Sequence, residues 1–345
     1  MPLPMAERLA DHTTLRLGGP AAHWVRATTE EELVAAVSAA DAAGEPVLVL
    51  GGGSNLVVAD AGFDGTVVEV VTRGVSPDVE DGVSCGGVLV TVAAGEGWDD
   101  LVALAVEKEW AGVEALSGIP GSVGATPIQN VGAYGQEVSQ TIASVRVWDR
   151  TLRGVRTFAN ADCGFGYRTS RFKADPGRHV VLSVTFQLRQ GSLGGPVAYA
   201  ELARALGVAV GERAPLAEVR RAVLALRGGK GMVLDPADHD TWSAGSFFTN
   251  PVVAADAVPD GAPAWPQPDG TVKTSAAWLI EHAGFARGHG TDRVAVSGKH
   301  TLALTNRGGA TTADLLALAR EVRDGVEARF GIRLVNEPVL VGCAL

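Results

Sequence analysis

Two glycine-rich loops of different design constrain this chain more than anything else in it: Gly51-Gly52-Gly53-Ser54-Asn55 and Gly118-Ile119-Pro120-Gly121-Ser122-Val123-Gly124. Each glycine lacks a Cβ, so the backbone can enter positive φ and bring its N–H groups close to an anion. One such loop fits a tight strand connection as well as it fits an anion cradle. Two in one chain, each following an apolar run, point to a long diphosphate-bearing cofactor that lies against the backbone at several places.

The 345 residues are too many for one small domain and predict two or three units. A hydrophobic share of 46% with 20% charged residues is the balance of a globular enzyme with a sizeable core. The net charge of −10 argues against a nucleic-acid or anionic-membrane binder, both of which need a basic face. Any anionic ligand must therefore be held by local groups. Cys85, Cys163 and Cys343 are too few and too scattered for a disulfide framework, and neither CxxC nor HxxxH spacing occurs, so no metal is expected. The N-terminus, with Pro2, Pro4, Glu7 and Asp11, does not read as a signal peptide, and no apolar run has the length of a membrane span. The expected location is the cytoplasm.

Residues 22–50 read as strand, helix, strand. Thr29 faces Glu32 as a capping pair, Leu33, Val34 and Val37 give one helical face, and Gly44 stops the helix. Val47-Leu48-Val49-Leu50 reads as a strand buried on both sides, and it delivers the first glycine loop. Leu56-Val57-Val58 follows and is extended. A Rossmann fingerprint needs a helix directly after the glycines, so this is not one. Short strands are expected from Gly65 to Ala94, a helix from Asp99 to Glu109, and strands around 144–148 and 180–184. An alanine-rich helical part ends near Arg227 and Lys230. Pro259 to Pro268 reads as a surface connection, and amphipathic helices are expected over 273–283 and 312–329.

Gly118, Gly121 and Gly124 recur every third residue, with Pro120 stiffening the first interval. Downstream, Pro127 through Gly135 adds amide side chains and the Tyr134 phenol to a backbone free of bulk, which suits a flat ring with hydrogen-bonding edges. In Phe165 through Lys173, alternation along an extended chain allows Arg168 to project inward where Tyr167 and Thr169 do not. A solvated edge with snorkelling cations is the rival reading. An inward Arg requires a carboxylate or phosphate to meet it. Ser246, between Gly245 and two phenylalanines, lacks the frame of a hydrolase nucleophile; it is either a turn residue or a proton donor. Glu337 sits at the mouth of an apolar strand, placed there either for solvation or by a buried strand serving a site.

Together these segments resemble the UDP-N-acetylenolpyruvoylglucosamine reductases. The resemblance runs through His12–Gly19, Leu50–Leu56, Ser117–Gly135, Tyr167–Lys173, Ala244–Pro251, Ser275–Glu281 and Val296–His300. It implies an α+β protein: a vanillyl-alcohol-oxidase/PCMH-type FAD-binding domain plus a C-terminal α+β substrate-binding domain. The implied division is FAD-binding subdomain 1 over 1–75, with 338–345 returning to it. Subdomain 2 covers 76–225 and includes a substrate-covering loop, 191–236; the substrate-binding domain covers 226–337.

The resemblance also implies the chemistry. NADPH reduces FAD and leaves, and UDP-N-acetylglucosamine enolpyruvate takes its place and is reduced to UDP-N-acetylmuramate for peptidoglycan, with consequences for cell shape and division. Gly51, Gly52, Gly53, Ser54, Asn55, Ser117, Gly118, Ile119, Pro120, Gly121 and Gly124 would hold the cofactor. Ser246 would donate the proton at C2, and Arg168 and Glu337 would bracket the enolpyruvyl carboxylate. An Arg offsets developing negative charge in a dry site, and a Glu beside it either carries a proton or polarises through a water. Tyr134, Tyr199, Lys230, Asn250 and His300 would hold the sugar nucleotide. The stretch between Lys230 and Ser246, which includes Met232–Asp235 and Trp242, is longer than in the commonest form of the family. Apart from NADPH and this small-molecule substrate no partner is implied, neither nucleic acid nor membrane, and the chain is expected to be a monomer. A flavin oxidase on the same FAD domain would need a different substrate domain. A silent flavin or nucleotide-sugar binder would be expected to lose Arg168, Ser246 or Glu337.

Overall fold

The computed structural model describes residues 7–78 and 87–345; Cys85 lies outside the described residues. They divide into two compact units. The first, here the sheet unit, comprises residues 22–52 and 64–228; the second, the three-segment unit, comprises the chain up to 21, 53–63 and 229–345. The first glycine loop is thus shared, with Gly51 and Gly52 in the sheet unit and Gly53, Ser54 and Asn55 in the other.

In the sheet unit, α1 (Glu30–Ala43) starts where the sequence places it. The Thr29 hydroxyl accepts the Glu32 N–H at 3.2 Å, and the Glu32 carboxylate accepts the Thr29 N–H at 3.3 Å. Gly44 ends it at φ 70°, a conformation that costs glycine little. Val47–Leu50 pairs in parallel with Phe63–Val70, which also pairs with Ala21–Ala27. The expectation that Val47–Leu50 is buried on both sides is not met. It is an edge strand, and only Leu50 is fully covered.

The larger sheet is antiparallel and runs in the order Gly154–Ala159, Ile142–Asp149, His179–Gln190, Gly87–Ala93, Val75–Asp78, with Trp110–Ala111 pairing the end of His179–Gln190. Val88, Val90 and Val92 alternate inward, as a half-buried strand requires, and join a core with Phe186, Leu188 and the fully buried Trp98. Trp98 opens α2 (Trp98–Glu107), with Asp99 and Asp100 in its first turn. This helix stops two residues earlier than expected because Glu109 takes φ 57°. One turn, α3 (Arg171–Ala174), is capped by Ser170. The segment expected as a covering loop carries two helices, α4 (Ala200–Leu206) and α5 (Leu216–Gly229), which close on a small core of Val197, Leu202, Ala203, Val219 and Val223 together with Ala115.

In the three-segment unit, α6 (Ala276–His282) and α7 (Thr312–Phe330) surround a core that includes Phe247, Phe248, Leu279, Ile280, Val296 and Leu304. α7 matches the expected 312–329 to within a residue; a Thr311–Asp314 capping box opens it and Gly331, at φ 68°, closes it. α6 begins three residues later than expected, since Val272–Thr274 is the central strand of a three-stranded sheet and Ser275 caps the helix after it. The proline-rich stretch is not simply a connection. Ala264–Pro266 forms an edge strand of that sheet, where a residue without an N–H is tolerated. Val294–Val296 pairs with Leu304–Asn306, and Val339–Val341 returns to pair in parallel with Leu56–Val58. Among the described residues no helix is long and apolar enough to cross a membrane, and no group of His, Cys, Asp and Glu could hold a metal ion.

Candidate active site

The glycines of the two loops meet in the sheet unit. A Cβ on Gly52 would fall 2.7 Å from Cα of Gly121, and one on Gly51 would fall 2.4 Å from Oγ of Ser122. Gly124 is pressed as closely on Ala94, to whose carbonyl it donates at 2.8 Å. The result is a ledge of bare backbone, exposed at Gly52, of the kind an extended anionic ester can approach. Gly118 and Gly121 both take positive φ there, 71° and 121°. Ser117 and Gly118 have partners within the protein. The Ser117 hydroxyl is fully buried and donates to the Glu114 carbonyl at 2.7 Å, while the Gly118 N–H donates to Asp99 at 2.6 Å. Ile119 packs against the core and Pro120 stays half-buried. In the other unit Gly53 takes φ 58°, where a Cβ would overlap the His12 carbonyl. Ser54 and Asn55 beside it are half-buried.

Two carboxylates that sequence reading missed brace the second loop and the segments around it. Glu114 is 1% exposed and accepts from the Gly112 N–H at 2.7 Å, the Gln136 amide at 2.8 Å and the Gly195 N–H at 2.9 Å. Asp99 takes the Gly118 N–H and a bidentate grip from Arg220 on α5, at 2.6 and 2.8 Å. Burial works against the Asp99 anion, but the Arg220 guanidinium and the Gly118 N–H outweigh it, and its pKa lies below the ordinary carboxylate value. In the sequence Asp99 is legible only as the start of a helix. A carboxylate inside the apolar run before a glycine loop was the available signal for Glu114.

Arg168 turns inward for a different reason from strand alternation. Gly166 and Thr169 close a tight turn by bonding to one another, and Arg168 sits in it at φ 53°. Its guanidinium reaches the carbonyls of Gly132 at 2.9 Å and Asn130 at 3.4 Å. Those carbonyls flank the hairpin Gly132–Ala133/Gln136–Glu137, whose two turn residues, Tyr134 and Gly135, both have positive φ as a type I′ turn demands. Tyr199 lies edge-on to Tyr134, with ring centroids 6.1 Å apart, and a Cβ on Gly135 would fall 2.7 Å from Cβ of Ala198. Tyr134, Tyr199, Arg168 and the second glycine loop thus belong to one unit. Arg227, near the end of α5, has its pKa pushed down to about 10 by burial, against the attraction of Tyr134 and Asp99.

Ser246, Glu337, Asn250, Lys230 and His300 belong to the three-segment unit. Residues 247–249 and 335–337 run antiparallel: the Glu337 N–H donates to the Phe247 carbonyl at 2.8 Å, Phe248 bridges Asn336, and the Thr249 N–H donates to Val335 at 3.0 Å. Ser246 therefore directly precedes the Phe247–Glu337 rung that ends this short ladder, and both Ser246 and Glu337 are half-buried. The strand expected to carry Glu337 is not buried, since Val339 is 48% exposed. Glu337 is held instead by that ladder and by Asn55, whose amide donates to the Glu337 carbonyl at 3.5 Å and whose own carbonyl accepts the Val339 N–H at 2.9 Å. The Phe247 N–H donates to Leu302 at 2.7 Å, and the Leu302 N–H donates to Nδ1 of His300 at 3.1 Å, which ties His300 to the same ladder. Asn250 spends its Oδ1 on the Ala276 N–H at the start of α6, at 3.0 Å. Lys230 is half-buried just beyond α5.

Comparison with known proteins places these features in company. Residues 21–154 match the FAD binding domain family, and residues 235–341 match the C-terminal domain of UDP-N-acetylenolpyruvoylglucosamine reductase. The chain is 62% identical to the UDP-N-acetylenolpyruvoylglucosamine reductase of Cutibacterium acnes over 98% of its length and 90% of that protein's. It is 59% identical to the enzyme of that name from Thermobifida fusca, over 98% and 97%. The crystal structure of UDP-N-acetylenolpyruvylglucosamine reductase from Thermus caldophilus superposes with a TM-score of 0.66 at 26% identity, covering 97% of this chain and 98% of that one.

Proposed function

The chain belongs to the UDP-N-acetylenolpyruvoylglucosamine reductases, FAD-dependent oxidoreductases of peptidoglycan precursor synthesis, and from this we infer that Arg168, Ser246 and Glu337 carry its chemistry. The protein reduces UDP-N-acetylglucosamine enolpyruvate to UDP-N-acetylmuramate at the expense of NADPH. FAD held by the two glycine loops would supply the two-electron hydride chemistry between NADPH and the enolpyruvyl group. The junction of Gly51, Gly52 and Gly121, exposed at Gly52, fits such a group, because these residues carry no Cβ to hold a diphosphate off the backbone. Ser54, Asn55 and the remainder of the second loop would complete the hold.

The proposed division of labour follows from residue type. Hydride arrival at C3 of the enolpyruvyl group leaves negative charge spread over C2 and the carboxylate. Arg168 is a fixed, planar cation that can offset this charge, and its two backbone carbonyl partners hold it ready. Ser246 gives its hydroxyl proton to C2. Serine is a weak acid, so this works only against a strongly basic carbon, which is what hydride delivery creates. Glu337 stands next to Ser246 and polarises the carboxylate end of the substrate. Tyr134, Tyr199, Lys230, Asn250 and His300 hold the sugar nucleotide. We assign FAD binding to 1–225, in two subdomains, and substrate binding to 226–337, in a cytoplasmic monomer.

The ladder that pairs Phe247, the residue after Ser246, with Glu337 is the observation that carries this reading. The test is anaerobic. One equivalent of NADPH should bleach the flavin, and UDP-N-acetylglucosamine enolpyruvate should then return the oxidised spectrum. A flavin that bleaches and stays reduced in the presence of that substrate would overturn the substrate assignment.

A further inference from the structure

The segment between Lys230 and Ser246 folds back on the strand pair Val294–Val296/Leu304–Asn306 and ends in a carboxylate with an unusual workload. One oxygen of Asp240 accepts three donors: the Ser297 hydroxyl at 2.9 Å, the Gly298 N–H at 2.8 Å and the Arg307 guanidinium at 3.1 Å. Ser297 is fully buried, and its oxygen is used to capacity. A hydroxyl has one proton and two lone pairs. The proton goes to Asp240, and the lone pairs accept the backbone N–H groups of Lys299 at 3.0 Å and His300 at 3.2 Å. The Lys299 ammonium grips Asp238, whose carboxylate also takes the Asp240 N–H.

We propose that Asp240 is a positioning residue for the reductase reaction, fixing the Ser297–Leu302 turn and through it His300 and the rung beside Ser246. By claiming the Ser297 proton it leaves both lone pairs to the turn, so the hydroxyl cannot rotate without losing an amide. The turn then closes on itself through the Ala303 N–H to His300, at 3.0 Å, and the Ser297 N–H to Ala303, at 2.8 Å. Leu302 passes the constraint on to Phe247, the neighbour of Ser246. The inference rests on the reading that His300 faces the sugar nucleotide. Asp240 also lines an open polar cavity of about 400 Å³ with His239, Asp292 and Arg307, so removing its carboxylate enlarges existing solvent space without hollowing the core.

The test is a double-mutant cycle in the FAD-loaded enzyme, with steady-state KM for UDP-N-acetylglucosamine enolpyruvate and the rate of flavin reduction by NADPH measured separately. D240A should raise KM about tenfold or more, as loss of hydrogen bonds to a charged group does, and leave flavin reduction unchanged. D240N keeps the accepting oxygen and should stay within roughly threefold of the parent. D240A/H300A should be no worse than H300A, because both act through one turn. If H300A raises KM while D240A does not, or if the two effects multiply, the proposal falls and the His300 reading stands. If H300A leaves KM unchanged, that reading fails and the inference with it. Should D240A lose its flavin, S297A carries the same test: KM must rise, and an unchanged KM overturns the proposal.

Discussion

Asp99 and Arg220 are 121 residues apart and form a two-pronged pair at 2.6 and 2.8 Å, and the Asp99 oxygen that meets one prong also takes the Gly118 N–H. One carboxylate therefore joins the second glycine loop to the helix pair expected to cover the substrate. Arg220→Met should loosen the helices without disturbing the loop. The expected result is a KM for the sugar nucleotide raised roughly three- to tenfold, with flavin content unchanged, the range a part-exposed bidentate pair supports. Asp99→Ala should also weaken FAD binding, measured by equilibrium dialysis. Equal flavin loss in both variants would mean that the pair serves only stability.

Ser246→Ala should leave flavin reduction by NADPH intact and slow reoxidation by substrate by about a thousandfold, within the range assigned to general acid catalysis. Glu337→Gln should impair the same half-reaction with little change in FAD content. Stopped-flow absorbance resolves both steps. Equal losses in the two half-reactions would remove Ser246 from the proton-donor role.

Gly52→Ala should cost the enzyme its flavin. The new Cβ meets backbone at Gly121, which cannot swing aside as a long side chain would, so one of the two loops must move. Gly228→Ala provides the control, since nothing lies within 4 Å of a Cβ at that position. The flavin-to-protein absorbance ratio after purification reports the difference.

Stability should fall in two stages as the solution is acidified. Burial between Phe158 and Phe172 lowers the pKa of His179, and its Nδ1 has no hydrogen-bond partner among the described residues. The unfolded chain therefore takes up the proton first, and stability begins to drop as pH passes below the ordinary imidazole value of about 6.5. The Asp149 carboxyl, gripped by Arg178 at 3.0 Å and by the Leu152 N–H at 3.0 Å, is held down to about 2. Its contribution is complete above the unfolded value and is lost as pH falls from about 4 toward 2. His179→Leu should flatten the urea-unfolding profile between pH 7 and 5 and leave the lower stage in place. A profile that keeps its upper stage would assign that stage to another group.

Local signals carried the sequence reading a long way. Thr29 with Glu32 and the closing Gly44 are complete within a few residues, and the amphipathic pattern over 312–329 is equally local, so both helices start and stop nearly where expected. Features that depend on distant partners were harder to see. Val47–Leu50 has the composition of a central strand but lies at a sheet edge, and only the pairing of other segments decides that. Val272–Thr274 was absorbed into a helical pattern because its strand partners, Val252–Val253 and Ala264–Pro266, contribute so few residues. Ser246 and Glu337 could be singled out individually, but the ladder that ties Phe247, beside Ser246, to Glu337 joins segments far apart in the chain. Asp240 carried no signal of its own, since the donors that define it come from Ser297, Gly298 and Arg307.

The backbone around the Arg168 guanidinium has an implication for engineering. Asn130, Tyr134 and Arg168 take φ of 48°, 49° and 53°, a region in which a side chain costs free energy and glycine does not. On backbone conformation alone, a search for thermostable variants would favour glycine at each of these positions. It would also remove the cation, the phenol facing Tyr199 and the amide that donates to Glu137. In this stretch tolerance to heat and turnover pull in opposite directions, and a variant library scored on stability alone would drift toward a well-folded protein with no reaction to perform.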